Sequence, residues 1–411
     1  MRVAILLAAV LALPAAAQPP RPEPTPVQVT DALRAEAVKE GIAAILRLQQ
    51  GKGGAEWPYE GVYRVRGQIP WGYRVGGTAI CALALAEAPG YADDPERQRA
   101  VEKALRFICE SRNERDLSID SYEGGYDVRS WGHIEAVATL ARLKRQKLIP
   151  EKLAEEGERA MAFYLDAVHK LETPRVGGWN YARPPGRETP GAPSSFMTSR
   201  ALQALFEAAA AGYEVDADVV RRGLDFLEKS KFASGAVAYS GVAGRQQQRS
   251  DGVPGATGRM CATEATLLLA GRGSLSSVRG ACDAFITHWE WLDRRRAMPG
   301  THAGPYAVAP YYFMFAHYYA AQGAEMLPRA ERAEYRRRID ELLFSVRRGD
   351  GSWNDRVFER SAAYGTAMAI LAITAGERLP PAKWQPPVPV AKDAEVKPAE
   401  EGEGRPGPSA P

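Results

Sequence analysis

Six times along this chain a Gly-rich or aromatic turn is followed by a run of small and aliphatic residues with helical character, and few architectures accommodate such a recurrence. The turns are Trp71 to Gly77, Gly124-Gly125-Tyr126, Gly177 to Tyr181, Ser234 to Tyr239, Gly304-Pro305-Tyr306 and Asp350 to Trp353. Runs such as Ala201 to Ala211 and Ala367 to Ile373 are apolar most of the way round a helix, which predicts burial on all sides. Between them lie six more polar stretches, roughly 31–49, 96–111, 151–171, 216–231, 275–292 and 329–347. In these, apolar residues keep to one stripe, as with Val219, Val220, Leu224, Phe226 and Leu227. A repeat of about 50 residues that alternates half-exposed with buried helices predicts stacked hairpins around one core. The expected fold is all-α, an α6/α6 toroid of two concentric helical rings.

That geometry sorts the loops. Outer helices run one way and inner helices the other, so the Gly and aromatic turns gather at one end of the ring. They include the long connections 176–195, 234–258 and 297–306, and long loops on a rigid scaffold are where binding residues sit. A pocket is therefore expected at this mouth, beside the N-termini of the inner helices.

Outside the repeats, residues 1–17 read as a secretory signal. Arg2 precedes an apolar run from Val3 to Leu13 that is too short to span a bilayer, and Ala15-Ala16-Ala17 forms a small-residue cleavage site. Residues 18–29 form a Pro-rich linker, 30–376 the toroid, and 377–411 a Pro-, Lys-, Glu- and Ala-containing tail expected to be disordered. The product would be exported, periplasmic or extracellular, with no membrane span in the mature chain. With 53 basic against 50 acidic residues, charge gives no reason to expect a nucleic-acid partner. Export permits disulfides, and the local pairings are Cys81 with Cys109 and Cys261 with Cys282, set against four buried free thiols.

The last repeat, Asp350-Gly351-Ser352-Trp353 followed by Tyr364-Gly365-Thr366-Ala367-Met368-Ala369-Ile370-Leu371-Ala372, resembles the Q-W motif of the terpenoid cyclase and protein prenyltransferase superfamily. Its squalene cyclase-like repeat proteins are the particular likeness. Gly177-Gly178-Trp179-Asn180-Tyr181 with Thr198 to Leu205 matches nearly as well. The resemblance implies the toroid and says little about activity. The superfamily's Asp-x-Asp-Asp acid is absent, and Asp93-Asp94 falls at the wrong end of the ring. Its zinc pair is absent too, since Arg259 stands where Cys261 would need an Asp.

The candidate chemistry is dispersed. Segment 120–135 gathers acids, aromatics, an Arg and a His at the mouth: His133 and Glu135 are acid or base candidates, and Tyr126 and Trp131 could stack on a sugar or an isoprenoid. Tyr126 and Trp131 equally fit as structural aromatics of the repeat. Asp251 and Glu264 are further acids, and Arg200 or Arg259 would partner a buried Glu264. Trp179, Tyr181, Tyr306, Tyr311, Tyr312 and His317 complete the ligand-binding candidates, with aromatic filling of the ring centre as the alternative. The five His are scattered, and no metal or cofactor site is expected. The first functional reading is an exported toroid that binds an apolar isoprenoid-like ligand, a glycan or a protein at its mouth without squalene cyclase activity. The alternatives are an isoprenoid-processing enzyme with a non-standard acid and a polysaccharide lyase or glycosidase.

Overall fold

The computed structural model describes residues 27–120, 127–181, 192–244 and 249–386. The outer helices are α1 (Asp31–Arg47), α3 (Pro95–Ser111), α5 (Ala154–Lys170), α7 (Ala217–Lys229), α9 (Leu275–Asp293) and α11 (Arg329–Phe344). The inner helices are α2 (Trp71–Glu87), α4 (Arg129–Arg145), α6 (Ser195–Ala210), α8 (Val253–Leu269), α10 (Tyr312–Met326) and α12 (Ala362–Ile373). Among the described residues there are only isolated β-bridges and no strands. The inner helices pack in chain order and α12 returns to α2, which closes an α6/α6 toroid.

Composition explains which helix goes where. Every residue of α12 is buried, whereas α7 buries only Val219, Val220, Gly223, Leu224, Phe226 and Leu227 on one face. Four of the six outer helices, α1, α3, α7 and α9, have a side-chain cap: at α3, Asp94 accepts from the Glu96 and Arg97 amides at 3.1 and 3.0 Å, and Pro95 opens the helix. None of the six inner helices has a side-chain cap. Close packing between them relies in places on missing side chains. A Cβ on Gly132 would stand 2.8 Å from the Gly72 Cα, so α2 and α4 touch backbone to backbone.

Three tryptophans tie outer to inner ring in one recurring way. Trp57, Trp179 and Trp353 are fully buried, and each indole N–H donates to a carbonyl near the end of the preceding outer helix: Ile45, Val168 and Leu343, at 2.7, 2.7 and 2.9 Å. Each backbone N–H donates to a threonine of the following inner helix: Thr78, Thr198 and Thr366, at 2.9, 2.9 and 3.0 Å. A tryptophan fits because one residue fills the gap between rings and satisfies a polar group at its far end. The repeat turn expected at Trp71 to Gly77 is therefore corrected. Those residues lie inside α2, and Trp57 is the tryptophan that occupies the repeat position.

Each outer helix covers the inner helix that precedes it, so α1 covers α12 and the last hairpin is assembled from both chain ends. Arg34 secures it, pairing with Asp340 and donating to the Ile373 carbonyl. The expectation of disorder from 377 is corrected for its first ten residues. Residues 377–386 are packed across the ring end opposite the mouth: Arg378 bonds Glu87 at 2.7 Å and the Leu371 carbonyl at 2.9 Å, and the Ala382 amide donates to Glu207 at 3.0 Å. Trp384 stacks on Phe206 and donates its amide to the Leu269 carbonyl at 3.0 Å. These contacts add partners to buried carboxylates that the ring also holds, Glu87 with Arg142 and Glu207 with Arg142 and Arg145. At the other terminus, Val27 and Val29 of the Pro-rich linker pack on the core. The signal segment lies outside the described residues.

Candidate functional site

The expected mouth exists as a cavity of about 200 Å³ at the N-terminal ends of the inner helices. Aromatic side chains make most of its wall. Tyr59 lies 5.3 Å from Tyr73 and 4.7 Å from Tyr364, and Trp131 lies 5.7 Å from Tyr73, measured between ring centroids. Opposite them stand Tyr181, Phe196 and Tyr311. Trp131 reaches the wall because α2 carries Gly76 beneath it; a Cβ there would meet the indole at 2.4 Å.

Three residues at the rim form a hydrogen-bonded triangle. His302 Nε2 lies 3.0 Å from the Tyr311 hydroxyl and 3.2 Å from the Tyr239 hydroxyl, and the two hydroxyls are 3.4 Å apart. His302 Nδ1 lies 2.7 Å from the Ala307 carbonyl. A carbonyl can only accept, so Nδ1 carries the proton and Nε2 accepts from a tyrosine. Ala307 offers that carbonyl from a left-handed backbone, φ 49°, a strained conformation for alanine that the loop maintains. Arg295 holds the same loop, donating to the Thr301 carbonyl at 2.8 Å and the Val308 carbonyl at 3.2 Å. Loss of hydration lowers the His302 pKa, and the Arg259 and Arg295 guanidiniums add to this. The imidazole is therefore neutral at pH 7.

Under the opposite wall lie Asp355 and Arg356, in the turn after Trp353. Asn354 shapes that turn: its Oδ1 accepts from the Arg356 amide at 2.9 Å and its Nδ2 donates to the Phe358 carbonyl at 2.9 Å. The Asp355 side chain is fully buried and lies 3.4 Å from the Tyr59 hydroxyl, and among the described residues its Oδ1 has no hydrogen-bond partner. Burial raises its pKa to about 7 despite the opposing Arg356 charge. Arg356 borders the cavity and is 4% exposed.

The structure brings Trp131, Tyr181 and Tyr311 to this cavity and sends most other candidates elsewhere. His133 is buried against Phe163 and Tyr164, with Nε2 3.0 Å from the Leu117 carbonyl, and burial pushes its pKa down to about 3. Glu135 and Arg200 form an ion pair in the middle of the ring, with the Arg200 Nε 3.0 Å from both carboxylate oxygens. Glu264 pairs with Lys231 at 2.7 Å rather than with Arg200 or Arg259. Asp251 accepts from the Tyr239 amide at 2.9 Å and so positions the rim tyrosine. Arg259 is spent on the carbonyls of Val237, Gly255 and Ser250, at 2.9, 2.9 and 2.6 Å. His317 accepts from the Trp289 indole at 2.9 Å and donates to the Phe313 carbonyl at 2.8 Å, which makes it a tie between α9 and α10. Tyr306 packs edge-on to Trp291, Tyr312 is buried behind the wall, and Trp179 is one of the three ring ties. Tyr126 lies outside the described residues. All four cysteines are buried free thiols, with Cys261 against Cys282.

Tyr59, Tyr239, His302, Arg356 and Tyr364 at the cavity, and Asp355 beneath its wall, are residues that motif reasoning missed. A signal for some of them was present. Two positions after each tying tryptophan stand Tyr59, Tyr181 and Asp355, and aligning the repeats on Trp57, Trp179 and Trp353 exposes an acid where the others have an aromatic.

Among the described residues, twelve α-helices in two rings with a cavity at the inner N-termini define an α/α toroid. No family model matches the chain, and no curated protein matches it. Among solved structures it is similar to the unsaturated glucuronyl hydrolase from Bacillus sp. GL1, with TM-score 0.56 and 14% identity over 85% of this chain and 98% of that one. It is also similar to the GH76A α-1,6-mannanase from Salegentibacter sp. HEL1_6, with TM-score 0.53 and 13% identity over 83% of this chain and 99% of that one. At such identities the likeness is one of fold.

Proposed function

We propose that the mouth is a glycan site and that the chain is a glycan-cleaving enzyme of the polysaccharide lyase or glycosidase kind. The observation that carries this reading is a pair of titratable groups at one cavity, each shifted by its surroundings toward its neutral form. A neutral imidazole with a fixed tautomer sits at the rim, and a carboxyl held up to a pKa of about 7 lies beneath the wall. A neutral imidazole can accept a proton and a protonated carboxyl can donate one, which are the roles of a general base and a general acid. His302 would take a proton through the Tyr311 or Tyr239 hydroxyl, and Asp355 would hold one against Tyr59. The surrounding rings suit the apolar faces of sugars. Two of its fold neighbours, a glucuronyl hydrolase and a mannanase, agree with this reading.

An isoprenoid-processing reading has less support, because the Arg356 guanidinium at the cavity opposes a developing carbocation. The test is incubation with neutral and acidic polysaccharides, following release of new chain ends. Cleavage that falls about 10²- to 10⁴-fold in His302→Ala is the expected result. Binding without cleavage would leave the mouth as a recognition module and remove the chemistry. If no glycan is bound or cut, the proposal is wrong.

A further inference from the structure

Among the described residues the buried arginine side chains hold hydrogen-bond partners, with one exception at the mouth. Arg129 is bidentate to Asp127, Arg142 holds Glu87 and Glu207, Arg200 holds Glu135, and Arg259 donates to three carbonyls and lies 3.5 Å from the Asp251 carboxylate. Arg356 is as buried as these at 4% exposure, yet among the described residues its side chain makes no hydrogen bond and no ion pair, and its Nε is buried without a partner. The adjacent Asp355 carboxyl is turned to the Tyr59 hydroxyl instead. A buried guanidinium with donors unused costs several kcal/mol, which the fold tolerates where a ligand supplies the missing acceptor. This one borders the cavity.

We infer that the mouth selects a glycan bearing a carboxylate, a uronate, whose carboxylate is held by Arg356. The inference rests on the glycan reading above and adds its substrate class. A planar guanidinium matches a carboxylate in shape, and the paired N–H···O bonds are charge-assisted. Arg356 is the single cation among the described residues that line this cavity, since His302 is neutral. One positive charge suits a monoanionic group and leaves a phosphate dianion half-compensated. The aromatic rings on either side would pack against the faces of the same sugar, fixing its plane relative to the guanidinium.

Calorimetric titration of the whole chain tests this with three probes of equal length: an oligogalacturonate, the same oligosaccharide with its carboxyls reduced to alcohols, and a sulfated neutral oligosaccharide. The oligogalacturonate should bind the wild-type protein at least about 10-fold more tightly than its reduced form, the size of one charge-assisted hydrogen-bond pair. Arg356→Gln should bring the two within about twofold, and Arg356→Lys should keep part of the preference. Equal affinity of wild type for the native and reduced probes would overturn the inference, and that comparison needs no variant to fold. A preference that survives in Arg356→Gln, with its melting temperature unchanged, would overturn the role of Arg356. Tighter binding of the sulfated probe would overturn the carboxylate assignment. If wild type binds none of the three, the glycan reading itself falls, and the uronate inference with it.

Discussion

Asp355→Asn tests the electrostatics of the mouth directly. The Asp355 carboxyl is fully buried, and burial lifts its pKa from 3.8 to about 7. Between those values the unfolded chain has released this proton and the native protein still holds it. Stability therefore falls as pH rises through the window, by ~1.4 kcal/mol per unit and about 4 kcal/mol in all. Asparagine has the shape of the protonated acid and never ionises. At pH 4 the variant should match wild type within about 1 kcal/mol. At pH 8.5 it should be more stable by roughly 2–4 kcal/mol, the lower bound allowing for the lost attraction to Arg356. Urea denaturation of both proteins at half-unit steps from pH 4 to pH 9 reads the difference, and subtraction removes every other titration that the two share. Gain of stability with loss of glycan turnover would mark Asp355 as a group kept for function. A constant difference between wild type and variant across the whole range would refute the raised pKa and with it the acid in the proposed pair.

Thr198→Val preserves shape while leaving the buried Trp179 amide without its acceptor, now at 2.9 Å, and should cost about 1–3 kcal/mol in urea denaturation. Thr78→Val and Thr366→Val should behave alike if the three ties are equivalent. His317, with its pKa pushed down to about 4 by burial, contributes stability above its unfolded pKa that is lost as pH falls from 6.5 through 4, roughly 3 kcal/mol in all. His317→Phe should lower stability at pH 8 yet flatten this acid limb; an unchanged limb would contradict the buried neutral imidazole. Arg378→Met strips Glu87 of one of its two guanidinium partners and should destabilise by about 3–5 kcal/mol, whereas a loss under 1 kcal/mol would mean that residues 377–386 only rest on the ring.

By itself the sequence determined the architecture. Periodicity separates a helix such as α12, apolar all round, from one such as α7, apolar on a stripe, and local patterns of this kind survive any tertiary arrangement. The alternation then leaves a double ring as the way to bury both sets, and the long loops mark its mouth. Chemistry was not legible in the same way, because it depends on which distant residues share a cavity. His302 meets Tyr239 across 63 positions and Tyr311 across 9, and Asp355 meets Tyr59 across 296. His133 and Glu135, conspicuous in their segment, point into the packing and the ring axis instead, since one helix presents neighbouring residues to different sides. Arg259 and Arg356 look alike in the chain. Only the fold decides that carbonyls consume one guanidinium and leave the other facing the cavity, because a side chain's role is set by the partners that tertiary structure brings within about 3 Å.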